Sequence, residues 1–186
     1  MTIPLFSFDA PESVAGWRAI DDAVMGGVSS SAISYIPNGG AVFSGSVSLA
    51  NNGGFASVRS PSFVLPGSGG TFLLTVRSDG KRYKFSVRTD AAFDGVSYQA
   101  TFQPPPGEWV VVRFAATDFL PKWRGRIVNN APPLDPARAQ QLGLLIADRQ
   151  AGTFRLQIGN LVVNIIDFLL DIIVMLDENF LRFLYI

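Results

Sequence analysis

Between Pro4 and Gly159 apolar and polar residues alternate in short runs, broken by Gly, Pro, Asn and Asp. Alternation with period two marks half-buried strands, because successive side chains leave a strand on opposite faces. The runs are 4–8 (PLFSF), 41–50 (AVFSGSVSLA), 54–60 (GFASVRS), 71–90, 95–103 (GVSYQATFQ), 108–116 (EWVVVRFAA), 142–147 (LGLLIA) and 153–159 (TFRLQIG). In 71–90, Phe72, Leu74 and Val76 share one face, and Tyr83, Phe85 and Val87 share one face of the returning run. Asp79-Gly80 between them predicts a β-hairpin. Gly45 marks a phase slip in 41–50, read as a bulge, and 134–142 (LDPARAQQL) predicts a short helix. A set of roughly nine or ten such strands predicts an all-β fold, an antiparallel jelly-roll sandwich over one core.

The pattern changes after Gly159. In 160–186, Asn164, Asp167, Asp171, Glu178 and Arg182 recur at helical spacing, with Met175 in the gap, on an otherwise apolar segment. That predicts an amphipathic helix with a narrow polar stripe, and a division into a sandwich domain (1–159) and a helical extension (160–186). It is a poor membrane span, since each central Asp costs about 2.5–3.5 kcal/mol on insertion. Residues 1–159 carry a net +3 and 160–186 a net −3. The negative stripe disfavours anionic headgroups. The extension is expected to pack on its own domain or on a second copy, with docking to a membrane-protein partner or peripheral membrane association as the other readings.

Composition narrows the chemistry. At 186 residues and 48% hydrophobic, the chain can bury a sizeable core. A formal net charge of zero gives no support for nucleic-acid binding. With no Cys and no His there are no disulfides, no thiol nucleophile, no Ser-His or Cys-His dyad and no usual zinc, copper or iron–sulfur ligand set. No cofactor and no metal are expected. No Gly-x-Gly-x-x-Gly follows a strand, so nicotinamide binding is not expected. Residues 1–13 show neither a secretory signal nor an Arg-rich transit pattern. The expected location is therefore the cytoplasm, or the stroma or matrix side of an organelle, at a membrane periphery if anywhere.

The segment Asp21-Asp22-Ala23-Val24-Met25-Gly26-Gly27-Val28-Ser29-Ser30-Ser31 is the most site-like. An acid/base pair needs two carboxylates facing one cleft, whereas neighbours on an extended chain point apart. A calcium loop needs Asp-x-Asp spacing, which is missing. The remaining reading is geometric: Asp21 and Asp22 accept backbone N–H bonds, Gly26 and Gly27 shape the loop, and Met25 forms an adaptable apolar tip. Asn51 and Asn52, in the run NNGG, read as a tight connection and not as a phosphate cradle, since no helix N-terminus or Lys follows.

Recognition is a stronger prospect than catalysis. Arg59, Arg77, Lys84, Arg88 and Gln99 lie opposite the apolar faces of their strands, with Tyr98 placed near an edge. On one outer sheet surface they would receive an anionic or polyhydroxylated ligand or an acidic partner segment; otherwise they form a solvated face paired with Asp79, Asp90 and Asp94. Trp17 and Trp109 read as core or edge packing. Trp123, in PKWRGR with Arg124 and Arg126, reads as an exposed anchor, since Trp and Arg dominate interface hot spots.

Taken together, 17–31 (WRAIDDAVMGGVSSS), 43–60 (FSGSVSLANNGGFASVRS), 79–90 (DGKRYKFSVRTD), 93–102 (FDGVSYQATF), 107–114 (GEWVVVRF) and 119–158 resemble, in collinear order, the complex I intermediate-associated protein domain, the thirty-kilodalton assembly-factor family. The resemblance covers about residues 5–158. It implies a galactose-binding-like jelly roll, akin to carbohydrate-binding modules, and no enzymatic activity. It also implies a non-catalytic assembly chaperone whose partners are protein subunits of a membrane electron-transport complex, respiratory complex I or a photosynthetic one. The family domain ends soon after the FRLQI strand, so 160–186 departs from the pattern. The competing reading is a jelly-roll carbohydrate-binding module, resting on the fold and the tryptophans. A glycoside-acting enzyme would need two carboxylates about 5–9 Å apart in a cleft, which nothing in the sequence places.

Overall fold

Strand formation follows the alternation. The structure, a computed structural model, describes residues 2–65, 70–90 and 92–164. Its strands are β1 (Thr2–Ser7), β2 (Arg18–Ala19), β3 (Ser30–Ile36), β4 (Gly40–Val47), β5 (Ala56–Arg59), β6 (Thr71–Ser78), β7 (Tyr83–Arg88), β8 (Ser97–Phe102), β9 (Trp109–Phe114), β10 (Leu120–Trp123), β11 (Arg126–Ile127), β12 (Gln141–Ile146) and β13 (Gly152–Asn164). They form two sheets. The first runs β3-β4-β13-β6-β9, with β1 beside the end of β13; the second runs β11-β10-β8-β7-β12-β5-β2. All pairings between these strands are antiparallel. The architecture is an all-β jelly-roll sandwich.

The core lies between the sheets and is rich in aromatics. Phe43, Phe72, Leu74, Leu156 and Ile158 of the first sheet meet Tyr83, Phe85, Val87, Leu142 and Ile146 of the second, all essentially without solvent exposure. Phe85 sits at the hub, its ring centroid 5.6 Å from Phe72, 4.9 Å from Phe114 and 5.9 Å from Phe119. Edge-to-face and tilted pairs of this kind add to simple burial.

Several expectations need correction. The strands of 71–90 do not form a hairpin: β6 and β7 belong to opposite sheets, and Asp79-Gly80 lies in the arch between them. The Asp79 carboxylate ties that arch down, accepting from the Tyr83 hydroxyl at 2.9 Å and the Arg155 amide at 2.9 Å. A turn signal fixes the reversal of the chain but not whether the returning strand pairs beside or across. Gly45 marks no bulge, because β4 keeps unbroken register with β3 and β13; the register shifts fall in β13, between Ile158 and Leu161, and in β1, between Pro4 and Phe6. The helix expected at 134–142 is a single 3-10 turn, Pro136–Arg138, and Gln141 already begins β12. Residues 160–164 are not helical: β13 continues through them, pairing with β1 and β6, so the sandwich extends past the expected boundary at 159. The rest of the expected helix lies outside the described residues. Among the described residues, no helix is long and apolar enough to cross a membrane.

Gly45 serves close packing. A Cβ there would lie 2.0 Å from the Ser30 carbonyl oxygen on β3. Gly45→Ala is therefore expected to push β3 from β4 and cost about 1–3 kcal/mol, as overpacking does. A lower urea midpoint at unchanged slope checks this; an unshifted midpoint would show that edge strand β3 yields freely.

Candidate functional site

The acidic loop builds one corner of the sandwich. Asp22 opens a 3-10 turn, Asp22–Met25, closed by Gly26 in the left-handed region (φ 87°). Its carboxylate is fully buried. Oδ1 accepts from the Ser29 amide at 2.9 Å, and Oδ2 accepts from the Ser29 hydroxyl at 2.5 Å, the Gly54 amide at 2.6 Å and the Phe55 amide at 3.2 Å. Asp21 points elsewhere and accepts from the Ser31 amide at 2.8 Å, the Ser31 hydroxyl at 2.6 Å and the Ser57 amide at 2.9 Å. Every oxygen of both carboxylates thus faces an N–H or O–H donor, the opposite polarity to a cation site. Burial alone would raise the Asp22 pKa, but the hydrogen bonds from Ser29, Gly54 and Phe55 outweigh it and hold the group below its usual value of 3.8.

The glycines follow from this carboxylate. A Cβ at Gly27 would lie 2.3 Å from Asp22 Oδ1, and one at Gly53 would lie 2.6 Å from Oδ2. Both chains must pass the carboxylate closely, so both positions lack a side chain. Asn51 and Asn52, each in the left-handed region, turn the chain so that Gly54 and Phe55 present their amides to Asp22. On this rigid base, Val24, Met25 and Val28 stand exposed to solvent.

The outward face of the second sheet gathers most of the predicted cations. Cross-strand register places Leu120, Gln99, Ser86, Gly143, Arg59 and Arg18 in one row. Lys84 and Arg88 share that face but are only 8% and 5% exposed, so these two are buried members of the face where the alternative reading has a solvated face paired with Asp79, Asp90 and Asp94. Lys84 donates to Asp148 at 2.7 Å. Arg88 donates to the Ala92 carbonyl at 2.6 Å and lies 3.7 Å from Asp90. Asp90 is among the pairing acids the sequence offers, whereas Asp148 and the Ala92 carbonyl lie in loops beyond the strands, and strand alternation carries no trace of them. Gln99 donates to Ser97 at 3.0 Å.

Two predicted members leave the site. Arg77 lies on β6, in the other sheet, opposite Trp109. Tyr98 points into the core, 5% exposed, with its hydroxyl donating to the Pro132 carbonyl at 3.1 Å. It falls there because it shares the parity of Ala100 and Phe102, and β8 is an interior strand.

The segment 92–95 joins these cations to the predicted anchor loop. Arg59 donates to the Phe93 carbonyl at 3.3 Å and stacks over the Phe93 ring at 5.7 Å. The Trp123 indole donates to the Asp94 carbonyl at 3.2 Å, and Arg124 forms a forked ion pair with the Asp94 carboxylate. That hydrogen bonding from Arg124 holds the Asp94 carboxyl below its usual range. Arg124 also lies over the Trp123 ring at 4.8 Å. Arg124 and Gly125 both have positive φ and form the two-residue turn between Trp123 and Arg126. Sequence reasoning missed Arg18, Phe93 and Lys122, which share this face or its rim. The signal available was weak: Arg18 and Lys122 sit in strands too short for alternation to show.

A shallow groove of about 760 Å³ opens beside this face, bounded by Arg18, Asp21, Val24, Arg59, Phe93 and Gln141. The candidate site is a polar, cationic surface with an apolar rim.

Comparison with known proteins agrees with the fold. Two structures of the Clostridium thermocellum family 11 carbohydrate-binding module superpose with TM-scores of 0.60 and 0.61. They are 16% and 14% identical, and cover 87% and 88% of this chain and 94% of the module in each case. In sequence, the chain is 22% identical to the mitochondrial Complex I intermediate-associated protein 30 of Neurospora crassa, over 84% of this chain and 71% of that protein. The family model for Complex I intermediate-associated protein 30 matches residues 6–158, nearly the whole described sandwich, and the chain belongs to that family.

Proposed function

We propose that this chain is a non-catalytic assembly factor that binds an intermediate of a membrane-bound electron-transport complex, respiratory complex I first. Membership of the family over residues 6–158 carries this reading, and the relative's name, a complex I intermediate-associated protein, supplies its direction. The geometry supports binding: the most site-like carboxylates are consumed by backbone amides, while Arg18, Arg59, Lys84 and Arg88, with the exposed Phe93 and Trp123, lie on the outward face of the second sheet and its rim. Recognition runs through that outward face and the Trp123–Arg126 turn. Trp and Arg there supply the type of anchor that carries a disproportionate share of interface energy.

The test is affinity capture of the tagged full chain from crosslinked native membranes. Complex I subunits are expected to be enriched. Trp123→Ala combined with Arg124→Ala is expected to lower recovery about tenfold or more, with folding unchanged, because both side chains are exposed. Recovery of photosynthetic subunits would redirect the reading to that complex. Binding to glycan arrays without subunit capture would replace it with the carbohydrate-binding module.

A further inference from the structure

The groove holds an electrostatic imbalance. Arg18 on β2 and Arg59 on β5 are direct cross-strand partners, and like charges directly opposite destabilise a sheet pair. Among the described residues, the ion pairs are Arg82 and Lys84 with Asp148, Arg88 with Asp90, and Arg124 with Asp94; none involves Arg18 or Arg59. Asp21 borders the groove, but its oxygens are engaged by Ser31 and Ser57. Burial and the nearby charge of Arg88 both push the Arg59 guanidinium below its usual pKa, with Asp90 acting in the opposite sense. Behind Arg59, the buried Nε of Arg88 has no hydrogen-bond partner among the described residues. Arg18 and Arg59 thus stand opposite each other without an ion-pair partner among the described residues.

We propose that Arg18 and Arg59 together grip a carboxylate on an acidic segment of a protein partner, with a neighbouring apolar side chain of that segment packing against Phe93, Pro61 and Val24. This names the partner chemistry of the function proposed above and rests on it. Guanidinium forks suit planar carboxylates bidentately. The groove is far larger than one carboxyl group, and its apolar wall includes Phe93 at 69% exposure, so the match is an acid flanked by a hydrophobic residue. A neutral sugar calls for no paired cations, and a bare phosphate leaves the apolar wall unused.

The experiment uses the full chain and two capped hexapeptides, one alternating leucine with aspartate and one alternating leucine with asparagine. Binding is read by calorimetry and by the arginine Nε–H signals in NMR. The aspartate peptide is expected to bind saturably and to shift the Arg18 and Arg59 signals, and the asparagine peptide to bind at least about tenfold more weakly. Arg59→Gln and Arg18→Gln are each expected to weaken aspartate-peptide binding about tenfold while leaving the melting temperature equal or higher, since each relieves repulsion. Equal affinity for both peptides would overturn the proposal. So would inorganic phosphate, anionic vesicles or a neutral oligosaccharide binding as tightly as the aspartate peptide, or a fall in melting temperature in both variants, which would make the pair structural. Capture of complex I subunits alongside failed peptide binding would remove this proposal and leave the assembly-factor reading standing.

Discussion

Asp22→Ala is expected to destabilise the protein by at least about 3 kcal/mol. Removing the carboxylate strips the buried Ser29 amide and hydroxyl and the half-buried Gly54 and Phe55 amides of their acceptor at once, and a buried donor without a partner costs about 1–3 kcal/mol. Asp22→Asn is the gentler variant. Rotated so that its oxygen replaces Oδ2, it keeps three of the four bonds and orphans only the Ser29 amide, for a loss of about 1–3 kcal/mol. Chemical denaturation midpoints rank the three proteins. The pH dependence tests the charge itself. The folded-state pKa of Asp22 lies below the ordinary 3.8, so its contribution is complete above that value and is lost as pH falls through the folded pKa. The wild type is therefore expected to lose more stability on acidification below 3.8 than Asp22→Asn does. Parallel acid profiles for the two would show that Asp22 carries no charge-dependent part of the fold.

Partner capture is expected to follow that loss. The Asp22 carboxylate fastens the 22–29 loop to the 51–55 turn, and the adjoining Asp21 fastens β3 and β5. The exposed Val24 and Met25, and the groove mouth beside Arg18 and Arg59, are held in place by that corner. A partner-binding defect in Asp22→Ala with no change in stability would contradict this, since the side chain is fully buried and touches nothing outside the fold.

Legibility in the sequence divides along one physical line. What depends on parity within a strand was readable: Tyr83, Phe85 and Val87 inward, Lys84, Ser86 and Arg88 outward, and the same split along β8 except that Tyr98 was placed at an edge. What depends on pairing between distant segments was not. Asp79-Gly80 looks identical whether the next strand returns beside its predecessor or crosses to the other sheet. The ion pair from Lys84 to Asp148 joins positions that no local pattern links. Arg77 reads like Arg59 in sequence because both face outward; only the sheet assignment separates them. In the acidic loop, residue types suggest backbone capping, whereas the identity of the capped amides at Gly54 and Phe55, 32 and 33 residues from Asp22, requires the fold.

Phe85→Ala is expected to be the most damaging single core substitution, at about 3–5 kcal/mol. Phe85 is 1% exposed and touches three other rings, from β6, from β9 and from Phe119, so its removal opens a cavity between both sheets that no single neighbour can fill. Phe85→Leu keeps most of the volume and is expected to lose only a fraction of that. The consequence reaches the surface because β7 carries both faces. Its partners β8 and β12 pair with it through Phe85–Ala100 and Leu144–Phe85, and the residues on either side of Phe85 in the chain are Lys84 and Ser86, on the outward face. Hydrogen exchange is expected to speed up first in Tyr83–Arg88 and Gln141–Ile146, and partner capture to fall with it even below the melting temperature. Loss confined to β6 and β9, with β7 and β12 fully protected, would show that the ring cluster holds the first sheet alone and that the outward face of the second sheet is braced by its own hydrogen bonds.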